Sequence, residues 1–277
     1  MRQSSAPGWP RRLRRWSFLA GVGVLAVGTL LPIYLVAIGG FGGPDAVYRW
    51  PKSFWPGTLS LETFHRFVAI GGIWAATAQS VKVALLTVLF SVALGAPAGY
   101  ALARFRFRGA NTYRLTILLT RAFPVAILAL PLAVSFARFG LYDTALGVAL
   151  VHTALALPFA VLVTASLFVG IPRELEEAAW VFGCSGFGAF RRVMLPLALP
   201  GIAATAVFAF VVSWNEVFAA AVLTLRHRTL TAFLLTVLSE SPLHIQLAGG
   251  FLLIVPSVLF IFLVRKYLFS MWGIASR

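Results

Sequence analysis

Long stretches without a charged residue recur along the chain, separated by shorter polar segments. Five of them are long enough for a membrane crossing, which needs about 20 apolar residues. They are residues 17–44, 83–103, 144–172, 193–215 and 241–264. A sixth stretch, 122–137, is shorter and begins next to Arg121. We therefore expect an all-α polytopic membrane protein with six transmembrane helices, at about residues 17–39, 78–103, 113–138, 144–169, 199–224 and 246–266.

The composition agrees with a lipid environment. Of the 277 residues, 60% are hydrophobic and 11% are charged, whereas a soluble domain carries roughly 25% charged residues. The net charge of +15 does not indicate nucleic-acid binding, because the basic residues are scattered between apolar spans rather than gathered on one face. The apolar run after residue 16 is too long for a signal-peptide core. Residues 1–16 are thus interpreted as a cytoplasmic tail before a transmembrane domain, 17–277.

The basic residues are unevenly divided between the two sides of the predicted bundle. Fifteen of the 23 Lys and Arg residues fall on the side of both termini, and seven fall on the other. Cytoplasmic loops carry such an excess, so both termini and the segment 171–196 are expected in the cytoplasm. One cysteine excludes an internal disulfide and a thiolate zinc site. The four histidines lack ligand spacing and are interpreted as structural, so we expect no metal and no cofactor.

The segment 171–196, between the fourth and fifth predicted spans, is patterned as two short helices. It holds three of the chain's eight acidic residues, close to the positive end of the first predicted helix. The spacing predicts one apolar face made of Leu175, Ala178, Ala179 and Phe182. Gly183 is a helix stop, and Ser185 is placed to cap a second helix that Pro196 ends. The segment is too polar to enter lipid and is predicted to be a helix–turn–helix.

A family resemblance lies in this segment. Glu177-Ala178-Ala179-x-x-x-Gly183, followed after nine residues by Val193-Met194-Leu195-Pro196, resembles the EAA loop of ABC importer permeases. The pattern there is Glu-Ala-Ala, three residues, Gly, nine residues and Ile-x-Leu-Pro. Resemblance to the carbohydrate-type permeases, such as the second permease of the maltose system, covers roughly span two to span six. The chain departs from that subclass at Phe182, where Asp is usual, and at Cys184, where Ala is common.

The resemblance implies the fold of an ABC type I importer permease and a way of driving it. In that family the loop helix docks into a cleft on an ATPase. By the resemblance, Glu177 pairs with a basic residue of the ATPase, Ala178 and Ala179 let the surfaces approach, and Gly183 allows the turn. Leu195 and Pro196 complete this ATPase-coupling motif. The chain has no Walker A motif, so we expect a non-catalytic subunit whose energy comes from separate ATPase subunits.

The implied activity is uptake of a sugar or polyol across a bacterial or archaeal cytoplasmic membrane. The implied partners are a second homologous permease, an ABC ATPase dimer, an extracytoplasmic solute-binding protein and the lipid bilayer. One alternative keeps the ABC machinery and changes the solute to a polyamine, a phosphonate or a similar cargo. Another is a stand-alone secondary transporter, and a third interpretation of the loop alone is an amphipathic segment on lipid headgroups.

Two charged residues fall well inside predicted spans, away from their ends. Glu216 follows Trp214 and Asn215 in the fifth span, where Trp-Asn-Glu resembles a signature of the carbohydrate-type family, and Arg121 lies in the third span. Such charges are costly in lipid and usually face the bundle interior or a water path. Trp214, Asn215, Glu216 and Arg121 are therefore candidates for a translocation pathway or gate. The alternative is that the charges hold helices together, as an ion pair or across the partner permease.

Overall fold

The structure, a computed structural model, describes residues 11–51, 54–55, 57 and 59–271. All regular elements in these ranges are helical, which confirms the all-α class. The backbone divides into two compact units, one of residues 1–67 and 241–253 and the other of residues 68–240 and 254–277. The predicted tail 1–16 lies mostly outside the described residues.

The first unit contains three helices and the beginning of the last one. They are α1 (Arg11–Phe41), α2 (Gly43–Tyr48), α3 (Glu62–Val68) and the start of α14 (Leu243–Met271). Phe41 contacts the rings of Phe64 and Phe251, at centroid distances of 4.5 and 5.4 Å. A Cβ atom at Gly39 would lie 2.2 Å from Leu247 Cδ1, so a glycine there lets α1 and the start of α14 pack closely.

The second unit holds the remaining helices, including the remainder of α14. They are α4 (Ile73–Arg104), α5 (Ala110–Thr120), α6 (Val125–Arg138), α7 (Ala145–Gly170), α8 (Arg173–Val181), α9 (Gly186–Ala189), α10 (Leu195–Leu197), α11 (Leu199–Asn215), α12 (Phe218–Leu223) and α13 (Leu230–Val237). A π-helical segment, Phe190–Met194, connects α9 to α10, and a 3₁₀ turn, Leu238–Glu240, follows α13.

Four helices of the described chain are long and apolar enough to cross a membrane, and the number rises to six if each of two bent pairs is one span. The long helices are α1, α4, α7 and α14. The third predicted span, 113–138, is not one straight helix, because α5 and α6 meet at 91°. Its break contains Pro124, whose φ of −64° and ψ of 123° are extended. A residue with this backbone cannot continue the helix.

The centre of the second unit is the packing of α4 against α7. Gly95 and Gly99 lie on α4, one helical turn apart, and a Cβ atom on Gly99 would stand 2.1 Å from Thr164 Oγ1. Thr164 in turn donates a hydrogen bond to the Gly95 carbonyl, 2.9 Å away. The pair Gly95-x-x-x-Gly99 therefore lets α4 approach α7 closely enough for the Thr164 side chain to bond to the α4 backbone, as the small-residue motif of membrane helices does.

Candidate functional site

The segment 171–196 folds as helices joined by one tight turn. Helix α8 ends in a Schellman motif, in which Cys184 N–H donates to the Ala179 carbonyl and Gly183 N–H donates to the Trp180 carbonyl, both at 2.9 Å. Gly183 has a φ of +84°, a conformation that costs a residue with a Cβ atom about 1–2 kcal/mol. The stop predicted at Gly183 therefore has a backbone cause.

The second helix of the segment is capped and then bent. Ser185 Oγ accepts a hydrogen bond from Gly188 N–H at 3.1 Å, which is the predicted N-cap. The helical backbone then runs on through Pro196 to Leu197, and α11 follows at an angle of 75°. The second helix therefore ends one residue after the predicted Pro196, a difference within the usual uncertainty of a helix boundary. The bend lies at Ala198.

The family motif presents a mixed surface. Glu177 and Ala178 are exposed, whereas Ala179 is buried. Leu195 is half-buried and Pro196 is exposed. Three of the four residues predicted to share one apolar face, Leu175, Ala178 and Phe182, are exposed, and Phe182 is 87% exposed. The neighbouring Val181 and, across the turn, Phe187 are also exposed. The loop thus carries an uncovered apolar surface beside the Glu177 carboxylate; we call Leu175, Ala178, Val181, Phe182 and Phe187 the exposed ridge.

A buried charge pair that the sequence analysis did not predict lies on the opposite side of α8. The Glu176 side chain is 5% exposed and its Oε2 lies 3.0 Å from Arg104 Nε, the Arg104 side chain being 6% exposed. Tyr100 OH donates a hydrogen bond to Glu176 Oε1. Because Tyr100 and Arg104 are four residues apart on α4, both face the same side of that helix. The spacing of two residues on α4 was visible in the sequence, but their partner is more than 70 residues away.

A second buried network surrounds Glu216, which lies between α11 and α12. Its carboxylate accepts hydrogen bonds from Ala219 N–H and Ala220 N–H, each at 3.0 Å, and lies 3.1 Å from His152 Nε2. His152 is fully buried on α7, and its Nδ1 lies 2.9 Å from Ser213 Oγ. The carboxylate caps a new helix start where the predicted fifth span, 199–224, would have continued. The predicted single helix is therefore wrong at this point.

The other pathway candidates differ from one another in exposure. Trp214 is 1% exposed and stacks on Phe210, with ring centroids 5.8 Å apart. Asn215 is exposed and donates to the Val211 carbonyl of its own helix at 2.9 Å. Arg121, in the break between α5 and α6, is exposed, and its guanidinium lies 6.0 Å from the ring centroid of Phe208. The four candidates therefore divide into a buried pair, Trp214 and Glu216, and an exposed pair, Asn215 and Arg121.

A third carboxylate, outside the spans, fixes a loop. Asp143 Oδ1 accepts hydrogen bonds from the N–H groups of Leu225, Arg226 and His227, at 2.7 to 3.0 Å. Its Oδ2 lies 3.0 Å from His227 Nδ1. Burial raises the pKa of Asp143, but these hydrogen bonds outweigh it and hold that pKa below its usual value. In the described part of the chain, no three His, Cys, Asp or Glu residues are grouped to hold a metal ion.

Comparison with known proteins agrees with this architecture. The arabinooligosaccharides transport system permease protein AraQ of Halalkalibacterium halodurans is 32% identical over 262 residues, 91% of this chain and 93% of that one. The trehalose transport system permease protein SugB of Mycobacterium tuberculosis is 32% identical over 218 residues, 76% of this chain and 79% of that one.

The same fold occurs in a solved structure. A chain of a bacterial ABC transporter involved in the import of the acidic polysaccharide alginate superposes with a TM-score of 0.71, at 22% identity, over 95% of this chain and 99% of that chain. Residues 91–270, which contain the loop, the Glu216 network and the bent pair of helices α5 and α6, match a family model. The chain belongs to the family of binding-protein-dependent transport system inner membrane components.

Proposed function

We propose that the chain is a transmembrane permease subunit of an ATP-binding-cassette importer for a sugar or polyol. Separate ATPase subunits dock on the 171–196 loop and drive it. A second homologous permease completes the membrane part, and an extracytoplasmic binding protein delivers the solute. The excess of Lys and Arg on the side of the loop supports a cytoplasmic loop and cytoplasmic termini.

The observation that carries the proposal is the exposed ridge beside Glu177. A loop that only tethered two spans would not need a Schellman turn, a serine cap and large uncovered apolar side chains. Exposed apolar residues that lie together mark a surface for another protein. A single carboxylate at its edge sets the register of a partner with a complementary basic group. Ala178 keeps the backbone of α8 accessible to that partner.

The class of solute is supported by the relatives. AraQ and SugB carry the names of an arabinooligosaccharide system and a trehalose system. For the pathway we propose Arg121 and Asn215 as lining residues, because both are exposed polar side chains and Arg121 lies next to an aromatic pair. Phe208 lies under Arg121 and stacks on Phe159 with ring centroids 3.8 Å apart. Aromatic faces with nearby hydrogen-bond donors suit the apolar faces and hydroxyl groups of a sugar. Trp214 and Glu216 are proposed instead to hold the break between α11 and α12.

Uptake by the complete importer tests the proposal. The chain is co-expressed with its neighbouring permease, ATPase and binding protein, reconstituted in proteoliposomes, and supplied with labelled sugars, a polyol, a polyamine and a phosphonate in parallel. We expect ATP-dependent uptake of a sugar or polyol only. Uptake of the polyamine or phosphonate would show that the solute is not a sugar or polyol. Ion-driven uptake without the ATPase would overturn the proposal as a whole.

The docking role is tested separately with Glu177→Lys. Reversing the charge at the edge of the exposed ridge should remove co-purification of the ATPase while membrane insertion is retained. Glu174→Lys is the matched control, because Glu174 is also an exposed carboxylate of α8 but lies outside the family motif. Normal ATPase retention and normal transport by Glu177→Lys would contradict the docking role.

A further inference from the structure

Helix α8 has two sides with different chemistry. Its exposed carboxylates are Glu174 and Glu177, and its third, Glu176, is turned inward to Tyr100 and Arg104 of α4. Among the ion pairs of the described residues, the pair of Glu176 and Arg104 is the only one that joins α8 to a long apolar helix. Anything that displaces α8 therefore acts on a charge held by the end of α4.

Arg104 contacts more of the loop than Glu176 alone. Its Nη2 donates a hydrogen bond of 2.9 Å to the carbonyl of Ile171, the residue between α7 and α8. The same nitrogen lies 3.8 Å from Met194 Sδ, at the end of the π-helical segment. The last residue of α4 thus touches the beginning, the first helix and the second helix of the loop.

The aromatic surroundings exclude water from this contact. Tyr100 packs on Phe190 and Phe168, with ring centroids 4.7 and 5.5 Å apart. Phe168 and Met194 are fully buried. A charge pair enclosed in this way cannot separate freely, because either partner alone would be left buried and unpaired. Displacement of α8 without α4 is therefore strongly unfavourable.

Before Arg104, helix α4 is packed at the centre of the second unit. It is one continuous helix from Ile73 to Arg104, and Gly95 and Gly99 hold it against α7. Further along, Thr87 of α4 donates to Ser213 Oγ at 3.3 Å, and Ser213 is the hydroxyl that contacts His152. Movement at Arg104 is thereby connected through one continuous helix to the network around Glu216.

From these contacts we propose that Tyr100, Arg104 and Glu176 are positioning residues that transmit displacement of the coupling loop to helix α4 during transport. This inference rests on the proposed function, since it assigns an internal route to the same loop. Glu177 and the exposed ridge receive the ATPase on one side of α8, and Glu176 passes the movement inward on the other. ATPase docking is thus assigned to Glu177, and transmission of movement to α4 is assigned to the adjacent Glu176, which faces the other side of α8.

The experiment separates assembly, ATP hydrolysis and solute movement in the reconstituted importer. Glu176→Gln keeps the size and hydrogen-bonding ability of the side chain but removes its charge, and Tyr100→Phe removes only the hydroxyl. Glu174→Gln is the control for loss of a carboxylate from α8. For each variant, co-purification of the ATPase, ATP hydrolysis and solute transported per ATP are measured. The double variant Arg104→Glu with Glu176→Arg tests whether exchanged charges rescue the single variants.

We expect Glu176→Gln to keep the ATPase bound and active but to lower solute transported per ATP by about fivefold or more, the low end of ordinary coupling between sites. Tyr100→Phe should lower it less, and the charge-exchanged double variant should exceed Arg104→Glu alone. Unchanged transport per ATP in both Glu176→Gln and Tyr100→Phe would overturn the inference. Loss of ATPase binding in parallel with transport in both variants would also overturn it, because the cluster would then only shape the loop.

Uptake by the wild-type importer distinguishes failure of the proposed function from failure of the transmission route alone. If it shows no ATP-driven uptake, the proposed function fails and the inference fails with it. If wild-type uptake is ATP-driven and the variants match it, only the transmission route is wrong.

Discussion

The two buried carboxylates of the second unit, Glu176 and Glu216, solve different problems. Glu176 pairs with a permanently charged guanidinium and ties two helices together. Glu216 pairs with a histidine and also accepts two backbone N–H groups of the helix that follows it. Glu176 holds α8 to α4. Glu216 stabilises the helix break between α11 and α12. Similar burial therefore ties two helices to each other in one case and fixes the backbone at a helix break in the other.

The largest effect is expected from Glu216→Ala. The substitution leaves His152 and two N–H groups of α12 without their acceptor, and each buried donor left unsatisfied costs roughly 1–3 kcal/mol. Thermal or denaturant unfolding of the purified complex measures it. Asn215→Ala is the neighbouring control and should change stability by less than about 0.5 kcal/mol, because Asn215 is exposed. Equal stability of the two variants would mean that the Glu216 network contributes nothing to the fold.

The next effect separates stability from transport at the other carboxylate. Glu176→Leu should cost about 2–3 kcal/mol, below the full penalty of a broken buried pair, because Arg104 keeps the Ile171 carbonyl as an acceptor. The double variant Arg104→Met with Glu176→Leu should recover most of that stability, since apolar residues can replace a buried ion pair without loss.

The same double variant should remain impaired in solute transported per ATP, because the charged contact is gone. A double variant that recovers both stability and transport would show that packing alone connects α8 to α4. The difference between Glu176 and Glu216 would then be one of degree only. Unfolding curves and uptake assays on the same preparations provide both readouts.

A smaller effect is expected at the turn of the loop. Gly183→Ala should cost about 1–2 kcal/mol because of the positive φ, with no steric contribution, since no atom lies within 4 Å of the added Cβ. Gly186→Ala is the matched control: its added Cβ also meets nothing, and alanine is the better helix former. If both alanines are tolerated equally, the strain at Gly183 does not hold the loop.

The smallest effect concerns the third carboxylate, Asp143, which is the least enclosed. Because its pKa is lowered in the folded chain, its contribution is fully present above the ordinary pKa of about 4 and is lost as the pH falls through the folded-state pKa. Asp143→Asn should therefore cost less than about 1 kcal/mol at neutral pH, as for accessible ion pairs. The gap in melting temperature between the variant and wild type should stay constant down to about pH 4 and narrow as the pH falls below it. A difference in melting temperature that does not change with pH would show that the Asp143 charge is not its cause.

Local signals predicted much of the 171–196 loop. The Gly183 stop and the Ser185 cap depend on residues within five positions of each other, so the sequence contains them in readable form. The break at Glu216 could not be found in this way. The stretch around it, Trp214 to Phe218, has neither proline nor glycine, and its cause is a side chain that pairs with His152 on another helix.

The same difference between local signals and tertiary contacts separates Pro196 from Glu176. Glu176 is one of three glutamates in a polar helix start, and only tertiary contact with α4 makes it different from Glu174 and Glu177. Pro196 carries a local signal for a helix end, and the second helix ends one residue after it. The isolated histidine His152 was interpreted as structural without a partner, and the structure supplies one.

The turn after Gly183 also has a practical use. Cys184 is the chain's single cysteine, is partly exposed, and is fixed by its N–H to the carbonyl of Ala179. A thiol-reactive spin label or fluorophore would therefore attach to the unmodified chain at one position, between the two helices of the loop. Spectroscopy on the native sequence could then follow this turn through a cycle of nucleotide binding and release, without any engineered labelling site in this subunit.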